Sequence, residues 1–147
     1  ILILTQFSNP IKGGAEALFY HLARELSNRG HKVFLIKQKT LKEHNNYGKV
    51  RVYNASVPIE HRGALPSSFI QNLLYLLCSI KIGINLVKTE RIDIIHANAY
   101  IPIIVGWIIS KLTGKPMLVT IHDVVYPLGL NFWKKWMFPV SGFFINF

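Results

Sequence analysis

Between Arg91 and Asp123 the chain runs R-I-D-I-I-H-A-N-A-Y-I-P-I-I-V-G-W-I-I-S-K-L-T-G-K-P-M-L-V-T-I-H-D. Two short apolar runs flank a longer one that stops at Gly114, a residue suited to closing a helix. Apolar runs without polar alternation belong to strands buried on both faces, and parallel strands are buried in this way when helices cover the sheet from both sides. The stretch therefore predicts strand, helix and strand within an open parallel sheet. Its last strand delivers His122 and Asp123 at the carboxyl end, and ligands of such sheets bind outside those ends.

The rest of the chain alternates in the same way. Ile1 to Thr5 predicts a first strand, and Gln6 to Gly14 a loop punctuated by Asn9, Pro10, Gly13 and Gly14. Ala15, Leu18, Phe19, Leu22 and Leu26 recur at helical spacing up to Gly30, a natural C-terminal stop. His31 to Ile36 predicts a second strand and Val50 to Tyr53 a third, with Gln38 to Lys49 a polar, basic surface loop between them. Pro66, Ser67 and Ser68 open a long helix that runs through Leu86 and Val87, with Ser68 and Gln71 at capping-box spacing. Asn72, Lys81, Asn85 and Lys88 interrupt it, so it is not expected to cross a bilayer, which takes about 20 mostly apolar residues. The helix from Asn98 to Leu112 is apolar nearly all round and is expected to be buried against the sheet. This alternation predicts an α/β, Rossmann-like, doubly wound parallel sheet.

A chain of 147 residues holds one domain with a real core. Half its residues are hydrophobic and 16% are charged, which excludes a disordered chain. The net charge of +10 implies an anionic partner, such as nucleotide phosphates, lipid headgroups or nucleic acid, without choosing among them. The one cysteine, Cys78, lies in an apolar run, so no intrachain disulfide forms; it is expected to be a buried filler, compatible with a reducing compartment. The chain opens directly in the first strand, without a methionine or a basic leader, so no signal peptide is expected and the sequence reads as a trimmed or partial chain.

Three places could carry chemistry. In the N-P-I-K-G-G-A-E loop, Gly13 and Gly14 precede a helix start, where free N–H groups and the helix dipole attract anions. The loop contains neither G-x-G-x-x-G nor G-K-[ST]; its bland reading is a tight turn in which Glu16 offsets the dipole. His96 with Asn98 ends a buried strand, where a histidine either bonds a ligand or satisfies a neighbouring carbonyl. His122 and Asp123 are costly to bury unless paired or used. Glu16, His96, Asn98 and Asp123 are thus candidate substrate-binding residues beside Gly13, Gly14 and His122. No metal is expected, because His96 and His122 lack a third ligand at characteristic spacing and HExxH and CxxC are absent. A serine triad is disfavoured too, since no G-x-S-x-G occurs and Ser141-Gly142 has no strand before it.

G-G-A-E before an amphipathic helix, R-G-H-K-V after it, then I-D-I-I-H-A and K-P-M-L-V-T-I-H-D, resemble in order and spacing the N-terminal domain of retaining GT-B-fold glycosyltransferases, the family 4-like "group 1" type. The resemblance covers most of residues 1–123. It departs at Asn98, where such enzymes often carry a second histidine, and nothing in the chain matches their second, donor-binding domain with its pair of glutamates. The resemblance implies an acceptor-side domain, inactive alone, of a hexosyltransferase that uses a nucleotide-sugar donor and no separate cofactor. It places Gly13 and Gly14 in the glycine loop facing the interdomain cleft, and gives His122 the catalytic position of the histidine that contacts the transferred sugar. In such enzymes positioning and electrostatics around the departing phosphate outweigh classical base catalysis.

In the tail, Trp133 and Trp136 flank Lys134 and Lys135 among Phe132, Met137, Phe138, Phe143 and Phe144. Trp with Lys is the composition of a membrane-interface anchor, and equally of a surface that packs on another domain. The membrane reading implies a peripheral enzyme on the cytoplasmic face with a sugar or lipid-linked acceptor, serving cell-envelope glycan synthesis. The competing class is a non-catalytic Rossmann-like module for an anionic partner. Nucleic acid is not expected as that partner, because Lys12, Lys32, Lys37, Lys39, Lys42 and Lys49 are scattered and not interleaved with aromatics. A nicotinamide enzyme would need the glycine fingerprint that the loop lacks.

Overall fold

The computed structural model describes residues 1–7, 13–40, 46–59 and 69–121. Strands and helices alternate as β1 (Leu2–Leu4), α1 (Gly14–Asn28), β2 (Phe34–Thr40), β3 (Arg51–Ile59), α2 (Phe69–Thr89), β4 (Ile95–Asn98), α3 (Ile101–Thr113) and β5 (Met117–Thr120). The strands form a single parallel sheet in the order β3-β2-β1-β4-β5. The chain builds outward from β1 through β2 to β3, then crosses back and builds outward through β4 to β5. The direction of winding therefore reverses between β1 and β4, as expected of a doubly wound sheet.

Alternation along β1 divides the core. Leu2 and Leu4 pack with Phe34, Ile36, Ile95 and Ala97 under α2 and α3, whereas Ile3 packs with Leu35 and with Phe19 and Ala23 of α1. Leu2, Ile3 and Leu4 are fully buried, as a central strand covered on both faces must be. At the amino edge of the sheet, Glu90, just beyond α2, accepts hydrogen bonds from Lys32 and, at 2.8 Å, from Arg51, tying the end of α2 to the starts of β2 and β3. The Lys32 ammonium and the Arg51 guanidinium hold its carboxyl below the usual carboxylate range.

Three expectations are corrected. β2 continues to Thr40, so Gln38 to Thr40 are strand and not loop; Lys37, Gln38 and Thr40 are buried. Main-chain pairing sustains it despite the polar side chains: Gln38 N–H donates to Gln6 O at 2.9 Å, and Lys37, Gln38 and Thr40 align with Asn54, Ala55 and Ile59 of a β3 that is longer than expected. Within the same presumed surface loop Tyr47 is buried, its ring 5.2 Å from that of Tyr20, whose hydroxyl donates to Asn46 O at 2.7 Å. Cys78 is only partly buried at the margin of the core. The helix stops behave as expected, with Gly30 and Gly114 at φ 88° and 68°. The capping box expected at Ser68 falls outside the described residues.

α2 and α3 approach closely because Gly83 faces Ile109: a Cβ at Gly83 would collide with Ile109 Cδ1 and lie 3.7 Å from Ile36 Cδ1. Gly83→Val overpacks this crossing and is expected to cost about 1–3 kcal/mol of stability, measured as a lower urea midpoint.

Candidate functional site

At the carboxyl edge of the sheet, β1 and β4 lead their connections in opposite directions, which opens a crevice between them. Thr5, one residue beyond β1, is fully buried there. Its N–H donates to Ile36 O at 3.1 Å and its hydroxyl to Phe7 O at 2.7 Å. Asn98 Nδ2 donates to the same hydroxyl oxygen at 3.3 Å, and Tyr75 of α2 donates its phenol to Thr5 O at 3.0 Å. Burial pushes the Tyr75 phenol well above its ordinary value, so it remains a donor at all physiological pH. The next residue, Gln6, donates through Nε2 to Asn72 Oδ1 of α2 at 2.8 Å. Loop, sheet and α2 are thereby joined on the floor of the crevice.

α1 begins at this edge. Gly13 is its N-cap, in extended backbone at φ −151° and ψ 168°, which any residue adopts. Gly13 N–H donates to Glu16 Oε2 at 2.9 Å, the reciprocal half of a capping box, so the Glu16 carboxylate serves the helix start. Neither Gly13 nor Gly14 has a positive φ, and among the described residues nothing lies within 4 Å of a Cβ placed on either. Turn geometry and packing therefore do not require glycine at these positions. The open space above them leaves room for a ligand to approach the backbone N–H groups of the helix start.

On β4, His96 and Asn98 share the face that α1 covers, but differ in depth. His96 pairs in register with Ile3, is buried, and sits 5.1 Å from the Phe19 ring. Its Nε2 lies 2.7 Å from Thr120 Oγ1, which joins β4 to β5. Asn98 stands at the edge, with Nδ2 on Thr5 and Oδ1 accepting Ala99 N–H at 2.7 Å. The structure thus brings Gly13, Gly14, Glu16, His96 and Asn98 to one edge of the sheet. His122 and Asp123 follow β5 outside the described residues, as do the aromatic residues of the tail. Among the described residues, no three of His, Cys, Asp or Glu come together as metal ligands would.

Thr5, Tyr75, Thr120 and Tyr100 belong to this edge without having stood out in the sequence. Tyr100 is the N-cap of α3 and holds φ 69° and ψ −127°, a conformation that L-residues avoid. The following I-P pair, with proline in the first turn, was the available sign that a helix starts here and not at Asn98. Strained residues of this kind gather at binding edges, and this one sits beside the crevice.

Two stability measurements test the arrangement. Tyr75→Phe leaves the Thr5 carbonyl without its donor and is expected to cost about 1–3 kcal/mol in urea unfolding. With the folded phenol raised, the wild type keeps this contribution below about pH 10 and loses up to about 1.4 kcal/mol per pH unit above it, as the unfolded phenol ionises first; the variant flattens that decline. Tyr100→Gly should be more stable than Tyr100→Ala by about 1 kcal/mol or more, because both lose the ring but only glycine accepts the positive φ.

Solved structures similar to this arrangement include glycosyltransferases. HepE of Anabaena, in complex with UDP-glucose, is similar over 99% of this chain and 34% of its own, with a TM-score of 0.64 and 18% identity. Sucrose-phosphate synthase from Thermosynechococcus elongatus is similar over 92% of this chain and 38% of its own, with a TM-score of 0.65 and 16% identity. MurG of Acinetobacter baumannii is similar over 95% and 38%, with a TM-score of 0.53 and 15% identity. The chain spans little more than a third of the length of each. No curated protein sequence matches it. The Rossmann-like α/β fold is that of the N-terminal half of a GT-B glycosyltransferase, as the order of the sequence motifs implied. A family model matches residues 12–147, from the glycine loop through every later element of the sheet, and the chain belongs to Glycosyltransferase Family 4.

Proposed function

We propose that the full-length protein transfers a hexosyl group from a nucleotide-sugar donor to a sugar or lipid-linked acceptor, with retention at the anomeric carbon. In this reading residues 1–147 form the acceptor-side domain, and a second Rossmann-like domain supplies most of the donor site. The observation that carries it is the family match over residues 12–147, which includes Gly13 and Gly14 at the start of α1. Binding of UDP-glucose by a structure of the same fold supports a nucleotide-sugar donor. The reaction works on the cytoplasmic face of a membrane and, in bacteria or archaea, serves the cell envelope.

Each part of the edge has a task in this mechanism. With the Gly13 N–H held by Glu16, the first-turn N–H groups from Gly14 onward face the phosphates or the acceptor, where positive dipole density offsets developing negative charge. His122, two residues beyond Thr120, contacts the sugar through a neutral imidazole that donates one hydrogen bond and accepts another. Asn98 and Asp123 orient hydroxyl groups, His96 holds the β4–β5 edge beneath them, and Glu16 holds the helix start in its capped form. The nucleotide phosphate leaves from the face that the acceptor hydroxyl approaches, so the leaving group itself receives the proton. The protein's contribution is position and field.

The test supplies the full-length protein with a panel of nucleotide sugars and a membrane lipid extract. Donor-dependent glycosylation is expected, reduced about a hundredfold or more in His122→Ala. Gly14→Ala is expected to retain or gain thermal stability, since a Cβ fits there and alanine favours helix, while transfer falls. A folded full-length protein that turns over no donor would instead favour the non-catalytic binding module.

A further inference from the structure

Along α2, exposure and polarity do not follow the usual pattern of a helix on a parallel sheet. Tyr75, Ser79, Gly83 and Leu86 face the core, yet the outward side of the first half carries Phe69, Ile70, Leu73, Leu74 and Leu77, each between 37% and 67% exposed. At 100° per residue these five fall within one outward face. Lys81 and Lys88 continue the same face toward the helix end, both exposed, and residues 69–89 contain no Asp or Glu. The helix is long and apolar enough to cross a membrane, but the Tyr75 phenol donates to Thr5 O at the centre of the fold. Its inner face is thus committed to the sheet, and the helix cannot be a lipid-surrounded span.

We propose that the outward face of α2 is the membrane-docking surface of this protein, lying flat on an anionic phospholipid bilayer with Phe69, Ile70, Leu73, Leu74 and Leu77 in the interface and Lys81 and Lys88 on the headgroups. Charge complementarity selects this occupant. An apolar stripe followed by lysines, on a helix that itself carries no Asp or Glu, is the composition of a helix lying in the headgroup region. A second copy of a chain with net charge +10 would bring like charges together, and nucleic acid would leave the aliphatic stripe unused. The position is informative as well. α2 runs antiparallel to the strands, so its apolar first half lies at the carboxyl edge, where Asn72 bonds Gln6 beside the crevice. A bilayer under this face lies next to the place where an acceptor would enter. The inference rests on the glycosyltransferase reading only in making that acceptor lipid-borne.

The experiment floats the full-length protein with vesicles of phosphatidylcholine alone and of phosphatidylcholine with phosphatidylglycerol, at low and high salt. Wild type is expected to float with the anionic vesicles and to be released by salt. Leu73→Ser with Leu77→Ser should lower the bound fraction at least tenfold, and Leu112→Ser, on α3 and more exposed than either, should leave it unchanged. Lys81→Glu with Lys88→Glu keeps the apolar stripe, should fold as wild type by circular dichroism, and should abolish the preference for anionic vesicles. Failure of wild type to float, or unchanged flotation of both double variants, overturns the proposal. So does a wild-type dimer that the leucine variants split while still floating. Donor-dependent transfer in detergent is measured on the same proteins; its loss in wild type would overturn the enzymatic reading and leave the vesicle result standing on its own.

Discussion

Thr5 is the point on which the functional edge of this domain depends. Every polar atom of this fully buried residue has a partner, and the partners come from β2, β4, α2 and the loop that Thr5 begins. A buried donor or acceptor left unpaired costs about 1–3 kcal/mol, a large share of a small domain's net stability. The network therefore admits essentially one arrangement of β1, β4 and α2 at the crevice. Its cost is met by shielding: the Tyr75 phenol is buried deeply enough that losing its proton is strongly disfavoured, and the bond to Thr5 O stays in one state.

From that node the crevice acquires its chemical character. Asn98 and Glu16, both polar and both at the edge, direct hydrogen bonds back into the chain, to Thr5, Ala99 and Gly13. These contacts make the edge rigid before any ligand arrives. Among the described residues, the backbone above Gly13 and Gly14 stays open, and there neither packing nor dihedral angle asks for glycine. A position that could carry a side chain without strain, and does not, is better explained by what must approach it than by the turn it occupies. With the dipole of α1 behind it and a net charge of +10 on the chain, this opening favours an anionic visitor.

The layered fold was legible because its signals are local and redundant. Fully apolar strands, Gly30 and Gly114 at helix ends, and one 15-residue amphipathic helix leave few arrangements other than a doubly wound sheet. Where the reading missed, tertiary pairing overrode composition. Gln38 and Thr40 look like loop residues, but neighbouring segments offer main-chain partners, and backbone pairing does not depend on side-chain polarity. Tyr100 could not have been found, since a tyrosine at positive φ follows from the surrounding fold and not from its own preference. For His96 the sequence left a ligand or a neighbouring carbonyl open. The structure supplies one partner, the Thr120 hydroxyl, 24 residues away along the chain, which only the β4–β5 register could reveal. His122 and Asp123 stand on the family resemblance and on their place after β5.

The direction of α2 links the two surfaces of the domain. A crossover helix in a parallel sheet must return from the carboxyl edge to the amino edge, so its first turns stand beside the crevice whatever their sequence. Placing an aliphatic stripe on those turns, and lysines only further along, thus sets the apolar surface against the reactive edge and the charges away from it. At 1.5 Å per residue, Phe69 to Leu77 spans about 12 Å of that surface. The inner face of the same turns holds Tyr75 on Thr5 and Asn72 on Gln6. One helix consequently has its inner face locked to the floor of the crevice and, among the described residues, its outer face exposed, so whatever occupies that outer face is held at a fixed orientation to the site.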